Sequence, residues 1–145
     1  MSAGCHQHHR QRMRDRYLKD ESFEGFADHE ILEMLLGAVI PRKDTNEYAH
    51  LLIEKFGNWK NLLNASVDEL MKVEGIGQVA AVEMKVMQEV MRRYVRDALE
   101  PAKKLDAVSE ILKFLYPKFL GLTKECIYML MLDNRFHMMD FRLVE

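Results

Sequence analysis

The sequence predicts a mainly α-helical chain, with a helical domain over residues 1–98, a linker over 99–104, and one helix plus a β-hairpin over 105–145. Three observations lead there. Apolar residues recur at helical spacing as far as Ala98, interrupted by Pro41, Gly57 and the Gly75–Gly77 pair. Glu100-Pro101-Ala102-Lys103-Lys104 is a polar, proline-bearing break between two different periodicities. Beyond it, Cys126 to Leu132 is an unbroken apolar run followed by Asp133-Asn134-Arg135, which reads as a strand and a turn.

The elements follow in order. The first stretch is basic, with Arg10, Arg12, Arg14, Arg16 and Lys19 against Asp15 and Asp20. Met13 and Tyr17 form an i, i+4 apolar pair able to seat this helix on a core. Its arginines read as a solvated helix face, with a second phosphate contact as the alternative. His6, His8 and His9 read as a solvated start of the chain rather than a metal site, because no Cys or carboxylate cluster accompanies them. Phe23 and Phe26 lead into Ile31, Leu32, Met34, Leu35 and Leu36, and the stretch from the N-cap Asp28 to Ala38 predicts a strongly buried helix, stopped by Pro41. Asp44 and Glu47 suggest a capping box for an amphipathic helix carrying Ala49, Leu52, Ile53 and Phe56 and closed by Gly57. Trp59, Leu62 and Leu63 make a short helical turn.

Ser66 and Glu69 form a second capping box, opening a short helix with Leu70 and Val73 on its apolar face. Val73-Glu74-Gly75-Ile76-Gly77-Gln78-Val79-Ala80-Ala81 then pairs a tight Gly-x-Gly turn with the start of the longest helix, expected to run to Ala98. The first amides of that helix have no partner within it and, with the helix dipole behind them, favour a phosphate. This is the helix-hairpin-helix pattern, a grip on a nucleic-acid backbone that needs no base readout. A glycine turn that merely packs two helices is the competing reading. Gly75, Ile76, Gly77 and Gln78 are the candidate DNA contacts. About thirty residues earlier, Ile40 to Ala49 resembles the same arrangement without its glycines, so Arg42 and Lys43 join the candidates as side-chain contacts. Along the long helix, Val79, Val82, Val86, Val90 and Tyr94 form a stripe expected to face the core, widened by Met84, Met87, Met91 and Val95. Lys85, Arg92, Arg93 and Arg96 fall on the polar side beside Glu83 and Glu89.

After the linker, Val108, Ile111, Leu112 and Leu115 predict a helix ended by Pro117. Cys126 to Leu132 suits a strand buried on both faces of a mixed α/β sheet, with Phe136 to Val144 returning beside it. Some forty residues of helix and hairpin are too few for a core of their own. The carboxy-terminal part is therefore expected to be incomplete, with strands available for self-association.

Composition narrows the function. With 48% apolar and 30% charged residues the chain is an ordinary globular protein. A formal net charge of −2 excludes coating of nucleic acid by bulk charge, so phosphate binding has to be local, weak and salt-sensitive. No segment is apolar enough to span a membrane and no signal peptide opens the chain. Cys5 and Cys126 form no disulfide framework, and a cytoplasmic location is expected.

His9-Arg10-Gln11-Arg12, Glu24-Gly25-Phe26, Asp28-His29-Glu30-Ile31-Leu32-Glu33, Ile40-Pro41-Arg42-Lys43-Asp44-Thr45 and Val73-Glu74-Gly75-Ile76-Gly77 together resemble the RadC family of bacterial proteins, in order and spacing from about His6 to the last residue. The resemblance implies a helix-hairpin-helix domain joined to a JAB/MPN domain, a metallohydrolase fold of the JAMM type, under a DNA-repair label. It further implies a glutamate working as general acid/base on water bound to a zinc held by a His-x-His pair and an aspartate. Lys124-Glu125-Cys126-Ile127 is similar to that glutamate's setting, so Glu125 is the matching catalytic position if the domain is completed. No His-x-His follows before Glu145. The chain is accordingly expected to start a truncated JAMM-type domain, to hold no metal itself, and to be inactive as it stands, with zinc implied for a full-length relative. Two functions follow: a weak, sequence-independent DNA-binding module, or a zinc-dependent, peptidase-like parent protein whose helical domain serves positioning or protein interaction.

Overall fold

A computed structural model describes residues 3–99 and 104–144, with side chains from His9 onward. The described residues are mainly helical: seven helices and one two-stranded antiparallel sheet. They fall into two compact units that divide after Lys85. The expected linker residues 100–103 lie outside the described residues, as do the side chains of His6 and His8.

The first unit holds α1 (Ala3–Asp20), α2 (Asp28–Val39), α3 (Asn46–Phe56), α4 (Trp59–Asn64), α5 (Val67–Met71) and the first turns of α6 (Gln78–Ala98). Its core is built from leucines of four helices: Leu32 and Leu36, one turn apart on α2, Leu52 from α3, Leu62 from α4 and Leu70 from α5, all at most 2% exposed. Met13 is buried as the Met13–Tyr17 pair predicts, and Tyr17 continues onto Phe23 with ring centroids 4.5 Å apart.

Several local expectations change. Asp28 lies inside the first turn of α2 rather than capping it; Ala27 is the N-cap, and the Glu30 carboxylate accepts from its amide at 2.8 Å. The Asp44–Glu47 box does not form: Thr45 precedes α3, and Asp44 Oδ1 accepts from the Asn46 amide instead. Thr45 is fully buried because its hydroxyl donates to Glu33 O at 3.0 Å, which removes it from any capping role. The valine stripe of α6 does not face the core. Val79, Val82, Val86, Val90 and Tyr94 are all exposed, while Ala80, Ala81 and Met84 are buried. The buried face of α6 therefore carries the small side chains at 80 and 81 and Met84 rather than the valines. Lys85 also leaves the expected polar side; its ammonium donates to Leu63 O at the end of α4, and burial pushes its pKa down, partly offset by Glu69.

The second unit holds the rest of α6, α7 (Val108–Phe119), β1 (Ile127–Leu132) and β2 (Met138–Val144). Pro117 does not end α7 but sits in its last turn, where it removes the one N–H that would donate to Lys113 O, and the helix continues until Leu120 N–H closes it on Tyr116 O. The strands pair from Ile127↔Val144 to Leu132↔Met138 with an irregularity after Met131. One sheet face meets α7 through aromatic rings, Phe114 edge-on to Phe141 at 5.2 Å and Tyr128 stacked on Phe141 at 5.0 Å. The other is open, with Ile127 and Met129 exposed, so β1 is not buried on both faces within these residues. Two strands and one helix cannot cover both faces of a sheet.

Candidate nucleic-acid interface

The turn between α5 and α6 is built by its flanking apolar residues. Ser66 and Glu69 form the predicted box, the hydroxyl accepting from Glu69 N–H at 3.2 Å and the carboxylate from Ser66 N–H at 2.8 Å. The Ser66 amide and the Ser66 hydroxyl, which donates to the same carboxylate oxygen at 2.9 Å, hold the Glu69 carboxyl below its ordinary pKa. Val73 and Ile76 are buried, and Ile76 N–H donates to Val73 O at 3.1 Å, so the chain reverses over two apolar anchors. Gly75 makes that reversal possible with a left-handed φ of +83°. The Tyr48 ring lies against it, so closely that an added Cβ would overlap the ring.

Gly77 is different. It lies outside the left-handed region, and a Cβ there would meet nothing within 4 Å. The first internal bond of α6 runs from Ala81 N–H to Gly77 O at 3.0 Å, so the amides of Gln78, Val79 and Ala80 precede the helical ladder. The two preceding helices are capped by side chains: Asn58 Oδ1 accepts from Asn61 N–H, and Ser66 caps α5. Glycine at the head of α6 has no side chain to do the same.

The turn between α2 and α3 carries Arg42 and Lys43, both exposed. Arg42 has a left-handed φ of +71°, an uncommon conformation for a side chain of that size. Arg10 of α1 holds this turn: its guanidinium donates to Gly37 O at 3.3 Å, to Lys43 O, and to Thr45 Oγ1 at 3.2 Å. Glu33, 1% exposed, accepts from Asn46 Nδ2 at 2.7 Å and lies 3.4 Å from His9 Nε2. Tyr48, in the first turn of α3, makes the Gly75 contact, so the helix that follows the Arg42–Lys43 turn borders the glycine turn.

The residues singled out from sequence therefore divide. Gly75, Ile76, Gly77 and Gln78 stand together, but the Ile76 side chain is an anchor and its amide is already bonded; Gly77 and Gln78 form the open part. Of the amino-terminal arginines, Arg12 and Arg14 are exposed, whereas Arg10 and Arg16 are half-buried and engaged by protein acceptors. Arg16 pairs with Glu30 at 3.0 Å, donates to Gly25 O and lies 3.7 Å above the Phe26 ring. Tyr48 was not legible as a site residue, and nothing in the sequence marked Arg10 as the residue that holds the Arg42–Lys43 turn; only the small residue at 75 hinted that something packs there. Glu125 is exposed just before β1. Among the described residues, no three His, Cys, Asp or Glu side chains converge as a metal site would require, so Glu125 alone does not fit a tetrahedral zinc. No helix among them is long and apolar enough to cross a membrane.

Residues 6–82 match the family model described as UPF0758 N-terminal. The chain is 37% identical over 106 residues to the UPF0758 protein FN0909 of Fusobacterium nucleatum, covering 73% of this chain and 45% of that protein. It is 33% identical over 88 residues to the UPF0758 protein SPO0054 of Ruegeria pomeroyi, covering 61% of this chain and 39% of that protein. These alignments span less than half the length of either relative. No solved structure matches.

Proposed function

The chain belongs to the UPF0758 family, and we propose that its first unit is a helix-hairpin-helix module that binds DNA weakly and without sequence preference. The observation that carries this reading is Gly77. Gly75 has an internal reason to be glycine, namely its φ and the Tyr48 ring; Gly77 has neither. A glycine open to solvent beside three amides ahead of the helical ladder is suited to a phosphate that comes close to the backbone. Gln78 stands beside it, and Arg42 and Lys43 supply charge from the neighbouring turn. Their local contribution suits a chain of net charge −2, with affinity in the range of roughly 10⁻⁴ to 10⁻⁶ M at physiological salt.

The test is a titration of labelled duplex and branched DNA by anisotropy at several salt concentrations. Wild type should bind both forms similarly, and Arg42→Ala/Lys43→Ala should lower affinity and shallow the log–log salt slope by about 1 to 2. A variant that binds with unchanged affinity and slope would remove these residues from the interface.

A second reading concerns the second unit, and its observation is the open, apolar face of the β1–β2 hairpin in a chain whose alignments span less than half of each relative's length. We read α7, β1 and β2 as the opening of a JAB/MPN domain. In a full-length relative, Glu125's counterpart would serve as general acid/base beside a zinc that activates water. The DNA-repair association and a cytoplasmic setting belong to the same proposal.

A further inference from the structure

We propose that Arg10 is a positioning residue for the Arg42–Lys43 turn: the amino-terminal helix, through one guanidinium, holds that turn in the conformation that presents both basic side chains. The proposal rests on the DNA-binding reading for its purpose but on separate geometry for its substance. Arg10 reaches three acceptors spread over the end of α2 and the turn, namely Gly37 O, Lys43 O and Thr45 Oγ1. A planar fork of donors serves such a set, and a single ammonium cannot. Gly37 makes room for it, since a Cβ there would lie 3.1 Å from Arg10 Cζ. Thr45, fully buried, passes the restraint on by donating to Glu33 O, and Asn46 ties the start of α3 to the buried Glu33 carboxylate. Between these fixed points lies Arg42 with its left-handed backbone. A non-glycine residue stays in that region only where its surroundings over-determine it. Lys43, whose carbonyl Arg10 takes, and Arg42 remain exposed at their side chains.

Arg10→Lys tests this directly, because it keeps the charge and removes the fork. Trypsin reads the turn independently of DNA, since it cuts after Arg42 and Lys43. Arg10→Lys should raise cleavage there by roughly tenfold or more while cleavage elsewhere and the helical circular dichroism stay the same. DNA affinity should fall several-fold, and should not fall further when Arg10→Lys is added to Arg42→Ala/Lys43→Ala. Gly37→Val approaches the same contact from α2 and should also loosen the turn, which covers the case in which Arg10→Lys unfolds. Unchanged cleavage at the turn in both variants overturns the proposal, as does an equal loss of affinity with and without Arg42 and Lys43. If wild type binds no DNA, the reading of the preceding subsection fails while the trypsin rates still decide whether Arg10 holds the turn.

Discussion

Tyr48 occupies the space that a side chain on Gly75 would need. The relationship joins the first turn of α3 to the turn between α5 and α6, and it makes Gly75 a structural glycine twice over, through packing and through its φ of +83°. Gly75→Ala should therefore cost about 2 kcal/mol or more in denaturant titration. Tyr48→Ala in the same chain should recover the packing part of that loss, leaving the backbone part of roughly 1 kcal/mol. Strict additivity of the two substitutions would show that Tyr48 and Gly75 are not coupled.

Acid should loosen the first unit through two carboxylates. Partial burial pushes the Glu30 pKa up, but the Ala27 amide and the charge and hydrogen bond of Arg16 outweigh it and hold it below 4.5. Glu69 is held below the same value by the Ser66 amide and hydroxyl. A depressed folded pKa contributes stability that is complete above the unfolded value and lost as pH falls through the folded one. Urea midpoints should hold steady down to about pH 4.5 and fall below it. Glu30→Gln/Glu69→Gln should flatten that fall; an identical acid response would assign it to other groups.

Much of the fold was legible because it rests on local chemistry. The Ser66–Glu69 box, the Gly75 reversal and the span of α6 are short-range patterns, and each is present where expected. What could not be read depends on partners distant in sequence. Two faces of α6 were apolar enough to bury, and the one that is buried carries Ala80, Ala81 and Met84 rather than the larger valines. Arg10 looked like one of four solvated arginines, and its acceptors lie 27 to 35 residues away. At the candidate site, sequence located the glycine turn but could not separate Gly75 from Gly77. Their difference appears only with Tyr48 in place.

The hairpin of the second unit should be its least protected part. Its outer face exposes Ile127 and Met129, and each strand has only one partner within the described residues. Such edges pair readily with another chain. Amide exchange in β1 and β2 of a dilute sample should be faster than in α2 and α3, and should slow as concentration rises. Ile127→Lys should weaken the concentration dependence in sedimentation. Equal protection of hairpin and helices in a dilute monomer would contradict the self-association reading.

The most direct measurement compares DNA binding by wild type and Gly77→Val at low salt, each checked for an unchanged helical spectrum. The side chain at 77 enters open space, so the fold should survive, while the added bulk blocks close approach of a phosphate to the amides at the start of α6. The prediction is a loss of affinity of roughly tenfold or more on both duplex and branched DNA, given that these amides are central. Equal affinity of a folded Gly77→Val and wild type would contradict the account.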